Sequence, residues 1–534
     1  MVSSWPSPFL EDINFDFFFE MKRFFFPALM AMAFLAPSAM AQSADSMAAK
    51  PMSTPRGEHY QGHMMPPPPP EARPEGPRHG GPHHGDSHHG APNEGPRPEG
   101  PRQEPPMMAG APAPADKPMR TDGSKKASAQ FYGFVRNYFY YDNRANYSSG
   151  EGQFFQMPKD ENIDPTSGDD LNENGHGRLL SMTTRIGVNL TGPMIWGAMS
   201  SGQIEADWNG PDKWDLRLRQ AYVRLSWPKH VLTAGQTWHP MSVMNPDIMA
   251  YATGSPFQPF SRTPQFRWDW KFAKNCTFIA SLLYEFQYLS VGPNGTNLAS
   301  GSTTSAEYLN NGVMPEIFAG FDFKPGFWNF GAGVDILRLR PRVNGEASVT
   351  DEDGNTTTYK CNVDDKVVGV SPMAYVQFNK NLFSAKLKAT YGQNTTHLSM
   401  YSGYGVTNIK EDGTAEYETL NNMTAWLQLS YGKKYKVSLF GGYSKNLGAT
   451  DDLRADMIYT RSGVQNWDQI FRVNPEFSYN IKAMNLAIGY ELTGTAYGTL
   501  NTTEKDGVKY TDGTVDDTHN VLNHRICAMV KYNF

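Results

Sequence analysis

A chain of 534 residues has room for about three to four globular domains, but 19% charged residues, 13% aromatics, 49 Gly and 39 Pro favour β structure over helix. The formal net charge of −6 offers no electrostatic footprint for nucleic acid. Three scattered cysteines (Cys276, Cys361, Cys527) argue against a disulfide framework or a zinc site, and no apolar run reaches the roughly 18 residues of a transmembrane helix, so membrane residence is left to a barrel.

The first structured signal is an address. Met21-Lys22-Arg23 is a short basic start, the apolar stretch from Phe24 to Leu35 follows, and Ala39-Met40-Ala41 gives the small-x-small pattern of signal-peptidase cleavage. The stretch is too short to span a membrane and carries Pro27. Residues 1–41 are therefore expected to be a signal-peptide region, with the mature chain starting at Gln42 and no cysteine after the cut to carry a lipid. Residues 1–20 are acidic and aromatic, unlike an n-region, which places the expected translation start at Met21.

Residues 42–128 read as a disordered periplasmic segment. Between Pro51 and Arg120 lie 19 of the 39 prolines, and such a stretch cannot bury enough apolar surface to offset chain entropy. The same segment holds seven of the 13 histidines, namely His59, His63, His79, His83, His84, His88 and His89. Clustered imidazoles bind Zn, Cu or Ni weakly, but a solvated His-rich linker is the simpler reading, and neither cofactor nor metal is assigned.

From residue 129 to 534 the period is two, predicting an all-β, transmembrane antiparallel barrel of about 16 strands. Phe266, Trp268, Trp270 and Phe272 alternate with Gln265, Arg267, Asp269 and Lys271; Phe383, Ala385, Leu387 and Ala389 alternate with Ser384, Lys386, Lys388 and Thr390. A soluble sandwich alternates too. The links decide: tight connections at 192–197, 228–229, 273–275, 324–326, 379–381, 432–434 and 480–483 alternate with mostly long polar ones. Short turns at one rim and long loops at the other describe an outer-membrane barrel. Aromatics bracket the tight turns (Phe323 and Phe327, Phe378 and Phe383, Tyr431 and Tyr435), as a membrane-interface girdle requires.

In the last strand Phe534, Tyr532, Val530, Ala528 and Ile526 share one face. With its terminal aromatic, this strand resembles the signal read by the barrel assembly machinery of Gram-negative bacteria, so Tyr532 and Phe534 are the expected assembly residues.

Gly133-Phe134-Val135-Arg136, Thr184-Arg185-Ile186-Gly187-Val188, Gln203-Ile204-Glu205, Leu216-Arg217-Leu218-Arg219-Gln220-Ala221-Tyr222-Val223 and Ala234-Gly235-Gln236-Thr237-Trp238 together resemble the opening strands of outer-membrane porins, most nearly the DcaP-like branch. The resemblance covers about 130–240; the rest matches by pattern. It implies a sixteen-stranded channel in the outer membrane, in contact with lipid and lipopolysaccharide, commonly a homotrimer, with its third long loop folded inward. Here that loop is 238–263, after the fifth strand, and its expected constriction residues are Trp238, Asp247 and Arg262. Asp247 is its only carboxylate, where many porins place several.

A barrel of this size leaves an aqueous lumen, and side chains opposite the lipid face line it. The expected pore-lining charges are Arg185, Glu205, Asp207, Arg217, Arg219, Arg267, Asp269, Lys386, Lys388 and Arg472. Arg217 and Arg219 differ in parity from Arg224, so a bulge near Gln220 is predicted to bring them to one face. Arg185, Arg217, Arg219 and Arg267 predict a basic stripe and a modest preference for anionic solutes; pairing with Glu205, Asp207 and Asp269 would cancel it. The function expected is passive diffusion of small hydrophilic solutes. The alternatives are an adhesive or anchoring barrel acting through its loops or tail, and an enzyme built on His239 with Ser242 or His397 with Ser399. The second lacks any sign beyond proximity in sequence.

Overall fold

The computed structural model describes residues 127–209, 215–249 and 254–534; the expected leader, start codon and Pro/His-rich segment lie outside them. Sixteen antiparallel strands form the wall: β1 (Ser128–Asp142), β2 (Arg185–Ile195), β3 (Ala198–Trp208), β4 (Leu216–Ser226), β5 (His230–Trp238), β6 (Arg262–Ala273), β7 (Cys276–Leu283) and β8 (Glu316–Phe323). They continue with β9 (Trp328–Leu339), β10 (Val367–Lys380), β11 (Phe383–Gln393), β12 (Ala415–Gly432), β13 (Tyr435–Gly448), β14 (Trp467–Ile481), β15 (Met484–Leu500) and β16 (Val515–Asn533). The sheet closes because β1 pairs on one side with β2 (Phe134 opposite Arg185) and on the other with β16 (Phe134 opposite Asn533). Closure satisfies every edge, which hydrocarbon demands.

Seven tight turns and eight loops connect the strands, in the segregated arrangement the sequence predicts. The expected link 192–197 is shorter than predicted. Pairing runs on to Ile195 opposite Ala198, and Trp196 (φ 50°) with Gly197 (φ 76°) makes a two-residue turn whose positive φ values match the twist of a hairpin. At the long-loop rim β12 extends far beyond the tight turn it shares with β13, beginning at Ala415.

The outward face is apolar where a soluble protein would be polar. Ile186, Leu190, Ile204, Phe266, Phe321, Val437, Leu439, Ile488, Ile526 and Val530 are all exposed, alternating along their strands with inward polar or charged residues. An exposed apolar band of this extent marks a lipid-facing surface. Rings gather near the tight turns: Tyr435 stacks on Tyr479 at 4.9 Å and Trp328 lies 4.7 Å from Phe378.

The seam between β1 and β16 depends on one glycine. Gly133 exchanges two backbone hydrogen bonds of 3.0 Å with Phe534. A Cβ at Gly133 would stand 2.4 Å from the Arg185 carbonyl oxygen and 2.6 Å from the Phe534 ring. The absence of a side chain there lets the last aromatic lie against the first strand. Tyr532 and Phe534 both face outward.

Candidate permeation site in the lumen

The inward face of β2–β4 carries a compact charge network. Where β3 pairs with β4 the register slips: Glu205 opposes Gln220 while Ala206 opposes Leu218, leaving Arg219 as the extra residue of a bulge. The slip reverses parity, so Arg217 and Arg219 point inward on one side of it and Gln220, Tyr222 and Arg224 on the other. Arg219 is 1% exposed and bridges two carboxylates, its Nε donating to Glu205 at 2.8 Å and its terminal nitrogen to Asp207 at 2.7 Å. Arg217 grips Asp207 through two bonds of 3.1 and 3.2 Å, and Arg185 lies 3.5 Å from Glu205. Tyr132 donates to Glu205 at 3.0 Å.

The expected basic stripe is therefore largely an ion-paired network, in which, among the described residues, three arginines meet two carboxylates. Arg267 likewise pairs with Asp269, at 2.7 Å on its own strand. Further cations gather around the neighbouring Phe134 ring. The cationic groups of Arg136, Arg185 and Lys531 stand 5.0, 4.9 and 5.5 Å from its centroid.

The third long loop leaves β5 at Trp238 and crosses to the opposite wall. Its main chain, not its side chains, receives most of the contacts there. Lys388 donates to the carbonyls of Met241 and, at 3.2 Å, Val243; Lys386 donates to Asn245 at 3.0 Å. Gln428 accepts from the Asp247 amide at 2.7 Å and donates back to its carbonyl, and Tyr138 donates to Met249 at 2.9 Å. Trp426, 0% exposed, donates its indole N–H to Gln258 at 2.8 Å. Asp247 is ion-paired with Lys436. Burial alone would raise its carboxyl, but the Lys436 and Lys386 ammoniums hold it below the ordinary carboxylate range.

Arg472 on β14 joins this loop to another. It donates to Ser255 at 2.8 Å, to Phe155 at 3.2 Å and Gln156 at 3.0 Å in the first loop, and to Thr493 at 2.9 Å, with Glu491 3.5 Å away. The first loop thus also folds inward: Phe154–Pro158 is buried throughout, paired with Asn146–Ser149. A third inward segment is Thr395–Tyr401, buried along its length.

The structure sorts the expected residues into two groups. Arg185, Glu205, Asp207, Arg217 and Arg219 come together on one wall. Lys386, Lys388 and Arg472 lie on the opposite wall, clamping loop backbone. Arg262 is 0% exposed, boxed by Trp238, Phe260 and Tyr288 with its charged carbon 5.1–5.3 Å from each ring centroid. It anchors the end of the third loop, and its charge is felt by Asp207 on the neighbouring wall. Trp238 forms one side of that box. The two histidine–serine pairs do not assemble as nucleophile and base. His239 accepts from the Met241 amide at 3.1 Å through Nδ1 and directs Nε2 to Glu316, and His397 Nε2 also meets Glu316. Sequence reasoning missed the inward first loop, although Phe154-Phe155 inside a polar stretch was a usable signal, and it missed the segment around Leu398, Met400 and Tyr401.

No protein-family model and no curated protein matches the sequence. Among solved structures, the outer membrane channel DcaP of Acinetobacter baumannii superposes with a TM-score of 0.52 at 16% identity, covering 77% of this chain and 98% of that one. The chain has the porin fold. Weaker likenesses are to the anion-selective porin from Comamonas acidovorans (TM-score 0.43, 11% identity, 77% and 100% covered) and to the trimer form of OmpT of Vibrio cholerae (TM-score 0.44, 12% identity, 77% and 100% covered).

Proposed function

We propose that this porin-fold chain is a non-enzymatic, water-filled channel of the Gram-negative outer membrane, passing small hydrophilic solutes by diffusion. The supporting observation is a closed sixteen-strand wall, apolar outside and charged inside, with a backbone-clamped loop across its lumen. The reading extends to a homotrimer set in lipid and lipopolysaccharide, inserted by the barrel assembly machinery through Tyr532 and Phe534, with the N-terminal segment in the periplasm. A modest anion preference fits the lumen, because Lys531 stands beside a network that, among the described residues, brings three arginines to two carboxylates. A fixed field of that sign concentrates anions. In a planar bilayer under a salt gradient, the reversal potential is expected to carry the sign of anion permeation. A cation-selective potential would contradict the selectivity, and a folded but silent protein would return the adhesive alternative.

A further inference from the structure

Four chemistry-bearing side chains, distant in sequence, meet in the interior beside the root of the third loop. His239 follows β5, Glu316 opens β8, Asp335 lies on β9, and His397 sits in the inward turn Thr396–Leu398. They are at most 2% exposed, and their ligand atoms all lie within 4.8 Å of one another. Both imidazole Nε2 atoms are 2.8 Å from Glu316 Oε1, and His239 Nε2 is 3.9 Å from Asp335 Oδ1. Glu316 Oε2 and Asp335 Oδ1 are buried without any hydrogen-bond partner. Among the described residues, the only ion-pair partners of these two carboxylates are the two histidines.

Two adjacent carboxylates buried without a fixed cation cost several kcal/mol each. A divalent cation neutralises both and employs the two orphaned oxygens. Imidazole beside carboxylate selects the Zn, Mn or Fe(II) class over calcium, which prefers an all-oxygen shell. Metal–ligand bonds of about 2.0–2.2 Å are reached from this spacing by small side-chain shifts. The Met241 N–H bonded to His239 Nδ1 leaves the proton of that ring on Nε2, where it donates to Glu316 Oε1. His239 is thus a positioning residue, holding one carboxylate oxygen while the other is left to the ion.

We infer that Glu316, Asp335 and His397 form a binding site for a divalent transition-metal ion, with His239 orienting Glu316. Such an ion would tie the His397 turn to the β8–β9 wall, while the root of the third loop is held to Glu316 through His239, fixing one side of the constriction. The site is independent of whether the channel conducts.

The test uses the full chain, refolded in detergent after chelation, loaded with Zn²⁺ or Co²⁺ and desalted. Tail histidines are present in every variant, so the difference in metal content is the readout. Wild type is expected to hold one more equivalent than either isosteric variant, Glu316→Gln or Asp335→Asn, and to show a Co²⁺ visible absorption band that both lose. His239→Gln, which keeps an N–H donor, is expected to weaken binding by about 10–100-fold without abolishing the band. Heat-modifiable gel migration identifies the folded fraction for each. Equal metal content and identical spectra in wild type and in whichever isosteric variant folds would overturn the site, leaving the cluster as hydrogen-bonded histidines and carboxylates that share protons.

Discussion

Replacing Arg219 with alanine is expected to shift the channel toward cations and to lower the stability of the β3–β4 wall together. Arg219 supplies the shortest ion pairs to both Glu205 and Asp207. Removing it deprives each buried acid of its shortest charged hydrogen bond, at a cost of about 1.5–3 kcal/mol each. Arg185 at 3.5 Å from Glu205 and Arg217 at 3.1 Å from Asp207 cannot take over its position between the two acids. Loss of one arginine removes a positive charge from the wall, so the local field falls and the reversal potential should move in the cation direction. Arg219→Lys keeps the charge but not the planar fork that reaches both acids; it should preserve selectivity better than stability. An alanine variant unchanged in reversal potential and in the temperature of gel-shift unfolding would show that this network neither tunes the pore nor braces the wall.

Arg472→Ala is expected to have the second large effect, on the size of the pore. This side chain donates to Ser255 in the third loop and to Phe155 and Gln156 in the first. Hydrogen bonds to a charged group contribute about 1.5–3 kcal/mol each, so three of them hold both inward loops at one point. The variant also strands Glu491, which is buried 3.5 Å from the guanidinium. With this clamp gone the two loops should fluctuate independently, and single-channel recordings should show larger, noisier currents. Lys386 and Lys388 still hold the near half of the third loop, so its root should stay in place. A quiet trace at wild-type conductance would mean that Arg472 is not what fixes the loops.

The barrel was legible because its two solvents write a one-dimensional code. Strands such as Phe383–Gln393 alternate with period two, and their links segregate into short and long. The bulge at Arg219 was legible for the same reason, since a parity conflict among Arg217, Arg219 and Arg224 has one local solution. What the lumen charges touch was not legible. Lys386, Lys388 and Arg472 read as free lining charges because alternation gives only the face of a side chain. Their partners, the carbonyls of loops more than a hundred residues away, depend on how those loops fold back. The aromatic box around Arg262 was not legible because it draws on Tyr288, from a different loop. The cluster of His239, Glu316, Asp335 and His397 was invisible for the same cause: its members come from two loops and two strands, and only closure of the wall brings them together.

Recording unitary current from the full-length, detergent-refolded protein in a planar bilayer tests most directly whether this wall encloses a water path narrowed by its loops. Discrete conductance steps are the expected result, grouped in threes if the assembly is trimeric. Heat-modifiable, fully inserted protein that passes no current at any voltage would contradict the account.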